Sequence, residues 1–305
     1  MSKRALVSGA HGFVGRHVAR HLAGCGFQVA GIGHGAWSRD QWREWGLDEW
    51  HGSEVDLDAL VTYAGEPDMI VHCAGSGSVS FSIAHPYHDF QRTAQTTIAV
   101  LEYARLYAPE ARIVIPSSGA VYGASARLPI PESAPPGPVS PYGMHKHFAE
   151  ELCRYYASLY ALRTAIVRFF SVYGVGLRKQ LLWDACRKLS QSDTTFAGTG
   201  EERRDWLHVD DAVNLLYIAA DHASVGCPIV NGGSGRSASV AEVLSMLKDG
   251  FPAAGAIRFS GARRKGDPVH LEADIARAQA WGWQPAMSLE QGIAQYLSWF
   301  QSGAL

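Results

Sequence analysis

An α/β fold, with a doubly wound parallel sheet and a smaller C-terminal lobe, is what the sequence predicts. Strand-like and helix-like segments alternate through the first half of the chain. The strand-like segments are unbroken apolar runs, as expected of parallel strands covered on both faces. A glycine-rich stretch, "GAHGFVG", sits at the first strand-to-helix junction.

The elements follow in order. "ALVSGA" is a short apolar run that stops at glycine, and "FVGRHVARHLAGCG" has apolar residues at helical spacing before Gly24 and Gly26. "FQVAGIG" reads as a second strand, "PDMIVHCAG" as a third, "ARIVIPSS" as a fourth and "LRTAIVRFFSVYG" as a fifth. Helical stretches near 86–107 and 142–160 lie between them. Such alternation implies β-α-β units. "PIPESAPPGPVSP" is too short for an interdomain linker and reads as a surface loop leading into the 142–160 helix. Beyond about residue 173 the pattern loses regularity. The expected division is a dinucleotide-binding domain over 1–172 plus about 206–234, and a second lobe over 173–205 and 235–305.

Composition narrows the class. The 305 residues are 47% hydrophobic and 18% charged, an ordinary globular balance. A formal net charge of −2 gives no field to attract phosphate backbones, so no nucleic-acid partner is expected. The five cysteines include no C-x-x-C pair and fit reduced thiols in a cytoplasmic protein. "MSKRALVSGAHG" is broken by glycine and reads as a first strand rather than a signal peptide, and no apolar run approaches the ~18 residues of a membrane span. The histidines lack metal-ligand spacing, so no metal is expected.

"GAHGFVG" fits a dinucleotide pyrophosphate in a Rossmann-type unit. Gly9 allows the tight turn, Gly12 lets the backbone approach the phosphates, and Gly15 lets the helix pack on the sheet. Phe13 and Val14 open that helix, whose N-terminus faces the anion. An acidic residue normally ends the second strand and binds the adenosine ribose. Here that place falls near Gly33 and His34, neither acidic. The missing carboxylate removes the repulsion a 2′-phosphate would meet, and His34 or Arg39 could contact one, so NAD and NADP both stay open. Asp56, followed by Leu57, is placed either to cap an adenine pocket or simply to cap a helix.

In "SPYGMHK", Tyr142 and Lys146 lie one helical turn apart and share a face. A free tyrosine has a pKa near 10, and a nearby ammonium favours its phenolate. Lowering it towards neutrality is what general acid–base catalysis needs.

"GAHGFVG", "HCAG", "IPSSGAVYG", "SPYGMHK", "RFFSVYG" and "RRDWLHVDDAV" together give a chain that resembles the extended short-chain dehydrogenase/reductases, in their nucleotide-sugar epimerase/dehydratase branch. The likeness covers nearly the whole chain. It implies that Tyr142 is the catalytic acid/base, with Lys146 beside it reaching the nicotinamide ribose. It implies that Ser118, with Ser117 as second choice, bonds the reacting oxygen, and that Ala74 and Gly75 let the cofactor approach. Gly119 and Ala120 stand where dehydratases of the branch carry an acidic pair, which argues against 4,6-dehydration. No cysteine stands beside Ser118, which sets aside the two-base epimerase/reductases. Thr93 stands where many relatives carry asparagine. The second lobe would hold a nucleotide diphosphate sugar through Arg204 and Arg264, with Lys179 and Gln180 covering the nucleotide and Ser78 and Ser80 lining the sugar pocket. A homodimer through a four-helix bundle and a role in polysaccharide biosynthesis are further implications. The reaction expected is 4-epimerisation with tightly bound NAD. The rivals are an NADPH-dependent reduction of a 4-keto-6-deoxy sugar and a cofactor-binding scaffold without catalysis.

Overall fold

The computed structural model describes residues 3–125, 127–262 and 270–303. Strands β1 (Arg4–Ser8), β2 (Gln28–Gly33), β3 (Glu49–Gly52), β4 (Met69–His72), β5 (Arg112–Ser118) and β6 (Arg163–Phe169) join a later strand, Ile229–Gly232, in one sheet. The sheet has seven strands, with Ile229–Gly232 and β3 at its edges and the order β6-β5-β4-β1-β2 between them. Every pairing in it is parallel. The chain winds outward one way through β2 and β3 and the other way from β4 onward. The direction reverses between β1 and β4, which is where sheets of this kind open a ligand crevice.

Side chains alternate across the sheet and fill two cores. Ala5, Val7, Val29, Val71, Val114 and Val167 pack with the helices Phe13–Gly24 and Val209–Asp221. Leu6, Ile70, Ile113 and Ile115 pack on the other face with Leu57–Tyr63, Thr96–Tyr107 and Pro141–Tyr160. Full burial of each Val, Leu or Ile contributes roughly 1.5–3 kcal/mol. A third core, with Tyr173, Leu182, Leu189, Val243, Leu247, Ile293 and Phe300, joins the helices Gln180–Ser190, Val240–Lys248 and Leu289–Gln301. Beside it lies a three-stranded sheet with Arg203–His208 between Ser171–Tyr173 and Ser237–Ser239.

The structure departs from the sequence reading at several places. The edge strand Ile229–Gly232 lies outside the five segments read as strands, and the fifth of those segments divides into β6 and Ser171–Tyr173. β3, "EWHG", is an extra strand; it lies at the edge, is only partly buried, and has no apolar run to reveal it. The 86–107 stretch is not one helix. It runs as Pro86–Phe90, then a π-helical turn over Gln91–Gln95, then Thr96–Tyr107. The loop before the 142–160 helix is anchored inside the fold: Ile130 is fully buried and its amide donates to the Glu272 carbonyl at 2.8 Å.

Candidate active site

The ends of β1 and β4 lie level, with Ser8 opposite His72. Gly9 follows β1 with φ of +70°, the left-handed region that glycine enters without strain. A Cβ there would come within 2.6 Å of the Ala74 amide nitrogen, so the turn and the post-β4 backbone meet without room for a side chain. At Gly15 a Cβ would fall 2.2 Å from the Gly9 carbonyl oxygen. Gly12 caps the Phe13–Gly24 helix with no side-chain acceptor. The first-turn amides, those of Phe13 and Val14 among them, therefore face the crevice uncapped by any side chain, as an anion site requires. This cradle fits a dinucleotide pyrophosphate.

At the ribose end the structure adds residues that sequence reasoning missed. Glu54, in the loop after β3, brings a carboxylate oxygen 3.0 Å from His34 Nε2. An acid therefore lies beside the residue that follows β2, on the loop after a strand that the sequence did not disclose. His11, inside the glycine loop, packs edge-on against Trp37 with centroids 4.8 Å apart, and a Cβ on Gly35 would lie 2.4 Å from its Nδ1. Arg39 is exposed in the first turn of the helix Arg39–Glu44. Asp56 caps the helix that begins at Leu57, accepting from the Ala59 amide at 2.8 Å.

At the chemical end, Ser118 closes β5, and Tyr142 and Lys146 lie in the first two turns of Pro141–Tyr160. Pro141 and the N-cap Ser140, whose side chain accepts from the Gly143 amide at 3.2 Å, start that helix at the required place. The Tyr142 amide donates to Ser82 Oγ at 3.0 Å. Ser118 lies near enough to Tyr142 to lower the phenol's pKa, while its Oγ accepts from the Ala120 amide at 3.1 Å. Ser117 instead donates to Glu150 Oε1 at 2.5 Å, so of the two serines Ser118 is the one at the phenol.

Burial raises the Tyr142 phenol above its ordinary pKa; Ser118 lowers it, and the Asp89 carboxylate raises it further. Burial also lowers the Lys146 ammonium, opposed by Cys73, Asp89 and Glu150. The expected depression of Tyr142 by Lys146 is not found. Lys146 Nζ donates to the Pro116 carbonyl at 2.9 Å, and the groups that shift Tyr142 besides burial are Ser118 and Asp89. A Cβ on Gly75 would lie 3.6 Å from Lys146 Nζ and 3.7 Å from the Arg92 carbonyl, so the π-helical turn, the post-β4 loop and the lysine converge. Thr93 Oγ1 accepts from the Ser76 amide at 3.4 Å. Asp89, fully buried, holds His145 Nδ1 at 2.6 Å. His72 is buried between Ser8 and Thr97, and burial lowers its pKa to about 3, so it is neutral.

Across the crevice, Gln180 Nε2 donates to the Gly77 carbonyl at 3.2 Å, and a Cβ on Gly77 would lie 3.1 Å from Lys179 Nζ. These second-lobe residues thus meet the post-β4 loop, where Ser78 caps a short helix and shares a 3.0 Å hydrogen bond with Ser80. Arg204 lies in the Arg203–His208 strand, its Nη1 donating to the Arg203 carbonyl at 2.9 Å. Arg264 lies outside the described residues. Among the described residues no cluster of His, Cys, Asp or Glu could hold a metal ion, and no helix is long and apolar enough to cross a membrane.

Residues 5–232 match the NAD dependent epimerase/dehydratase family. The chain belongs to that family. This epimerase/dehydratase is therefore an NAD(P)-dependent enzyme of isomerase or oxidoreductase type. It is 30% identical over 325 residues to a UDP-glucose 4-epimerase of Azospirillum brasilense, covering 99% of this chain and 93% of that one. It is 27% identical over 315 residues to a GDP-6-deoxy-D-mannose reductase of Pseudomonas aeruginosa, covering 99% and 98%. Among solved structures, MoeE5 in complex with UDP-glucose and NAD superposes with a TM-score of 0.87 at 26% identity, covering 99% of this chain and 100% of that chain.

Proposed function

We propose that this enzyme is a nucleotide-sugar 4-epimerase in which Tyr142, Lys146 and Ser118 act on the sugar's C4 oxygen. The observation that carries the reading is the meeting of Ser118 and Tyr142 at the carboxyl end of β5, with Lys146 facing Gly75 one turn along. Gly9, Gly12, Phe13, Val14 and Gly15 would hold the pyrophosphate, Asp56 and Leu57 the adenine, and Ala74, Gly75 and Lys146 the nicotinamide riboside. When bound, the nicotinamide supplies a hydride acceptor that can later give the hydride back. Tyr142 takes the proton of the C4 hydroxyl and returns it to the opposite epimer. Ser118 donates to the same oxygen and keeps it at the phenol. Lys146 places positive charge beside the forming phenolate. Lys179, Gln180, Ser78, Ser80, Arg204 and Arg264 would hold the nucleotide diphosphate and its sugar, arginine forks matching phosphate oxygens.

A second reading, reduction of a 4-keto-6-deoxy sugar with NADPH, is favoured by one feature: β2 ends at Gly33 and His34 with no acid of its own. A reductase also stands among the relatives. Against it, Glu54 lies next to His34 and would repel a 2′-phosphate. Denaturing the purified, untreated enzyme and weighing any released nucleotide separates the two. Stoichiometric NAD is expected of the epimerase, which keeps its cofactor through a whole cycle. An empty site that binds NADPH more tightly than NADH would instead mark the reductase.

Two copies are proposed to pair through the helices at 86–107 and 142–160. Supporting this, Phe90, Ala94, Ile98, Phe148, Leu152 and Tyr155 line one apolar groove on that face.

A further inference from the structure

The helix that carries Tyr142 and Lys146 is fastened to β5 by a third residue on the same stripe. Tyr142, Lys146 and Glu150 follow one another at i, i+4 and i+8, and all three face β5. Ser118 lies by Tyr142, the Pro116 carbonyl accepts from Lys146 Nζ at 2.9 Å, and Ser117 Oγ donates to Glu150 Oε1 at 2.5 Å. Three consecutive strand residues thus meet three consecutive turns of the helix.

Glu150 is fully buried, and so is the partner that neutralises it. Arg168 of β6 makes a two-pronged contact, Nε to Oε1 at 2.9 Å and Nη2 to Oε2 at 2.6 Å. The Tyr122 ring covers the guanidinium at 4.6 Å, and the Tyr122 hydroxyl donates to Asn231 Oδ1 at 2.6 Å. A buried ion pair of this kind is seldom retained for stability, because apolar side chains of the same volume do as well. What it supplies is one fixed geometry, since a fork and a carboxylate meet well in few arrangements.

We propose that Glu150 is a positioning residue, which with Arg168 and Ser117 sets the register of the Tyr142–Lys146 helix on β5. This rests on the reading of Tyr142 and Lys146 as the acid–base pair. A misplacement of the phenol by about 1 Å can cost as much as 10²-fold in rate. Loosening the clamp is therefore expected to lower kcat while the nucleotide and dinucleotide sites, to which this helix gives only Lys146, nearly keep their affinities.

The test compares the full chain, loaded with NAD and given the nucleotide sugar it turns over, with three variants and one control. Ser117→Ala removes the hydroxyl tie and leaves the ion pair, and Ser117→Thr restores a hydroxyl. Glu150→Leu with Arg168→Met replaces the clamp by apolar volume. Expected are a roughly tenfold fall in kcat for Ser117→Ala, recovered in Ser117→Thr, and about a hundredfold fall for the double variant, with KM and NAD affinity within about twofold of the parent. Should the double variant not fold, the alanine–threonine pair decides alone. Parental kcat in Ser117→Ala, or a double variant that melts and turns over like the parent, overturns the proposal. The control, Tyr142→Phe, separates the two claims: full turnover there would sink the acid–base reading itself, whatever Glu150 does.

Discussion

Tyr142 and Lys146 are both driven towards their neutral forms by burial, and the charges around them decide how far. Asp89, sealed in the interior and bonded to His145, raises the pKa of the phenol. As the proposed base, Tyr142 would act when deprotonated, so the rate is expected to climb as pH rises through its pKa. Asp89→Asn removes the carboxylate that raises that pKa, and the climb in kcat/KM is expected to move to lower pH. A profile unmoved or shifted upward would show that Asp89 does not act on Tyr142. At this scale the sequence displays what lies close together along the chain. The glycines of "GAHGFVG" and the Tyr142–Lys146 pair are legible because one turn or one loop contains them. Glu54 on His34, Asp89 on His145 and Arg168 on Glu150 are not, since each pair is joined only by the packing of separate elements. The upward direction of the Tyr142 shift is likewise hidden, because burial of a phenol leaves no local trace in the sequence.

The elements around the site begin where their caps place them. Ser140 and Pro141 fix the first turn of the helix that carries Tyr142, and so the direction in which Tyr142 leaves it. Ser140→Ala deletes the bond to the Gly143 amide and is expected to cost about 1 kcal/mol of stability, read as a lower urea midpoint. An unchanged midpoint would mean that Pro141 and helix packing suffice. Apolar runs made most of the sheet legible: β1, β2, β4, β5 and β6 each contain one. β3 escaped because an edge strand of four half-buried residues needs no such run. The π-helical turn at Gln91–Gln95 escaped because a single looser turn leaves the apolar spacing on either side nearly intact.

On the scale of the molecule, two cores cover the faces of the seven-stranded sheet and a third joins the helices Gln180–Ser190, Val240–Lys248 and Leu289–Gln301. Lys179 and Gln180 close over the post-β4 loop from the second lobe. The apolar groove between the Phe90–Ile98 and Phe148–Tyr155 faces lies close to the site: Phe90 and Phe148 both pack against His145, the partner of Asp89. Sedimentation at micromolar concentration is expected to show a dimer, and Phe148→Glu, which buries a charge at the pairing face, to show a monomer. A parent chain that sediments as a monomer would remove the four-helix pairing. The proposed reaction oxidises and re-reduces C4 without net use of cofactor. The measurement that tests it most directly is proton NMR of the NAD-loaded enzyme with a panel of UDP-, GDP-, dTDP- and CDP-sugars, alongside absorbance at 340 nm. One nucleotide sugar is expected to approach an equilibrium mixture of C4 epimers with no lasting change in absorbance. Stoichiometric consumption of a reduced cofactor by a 4-keto sugar, with no epimer formed from any sugar of the panel, would contradict it.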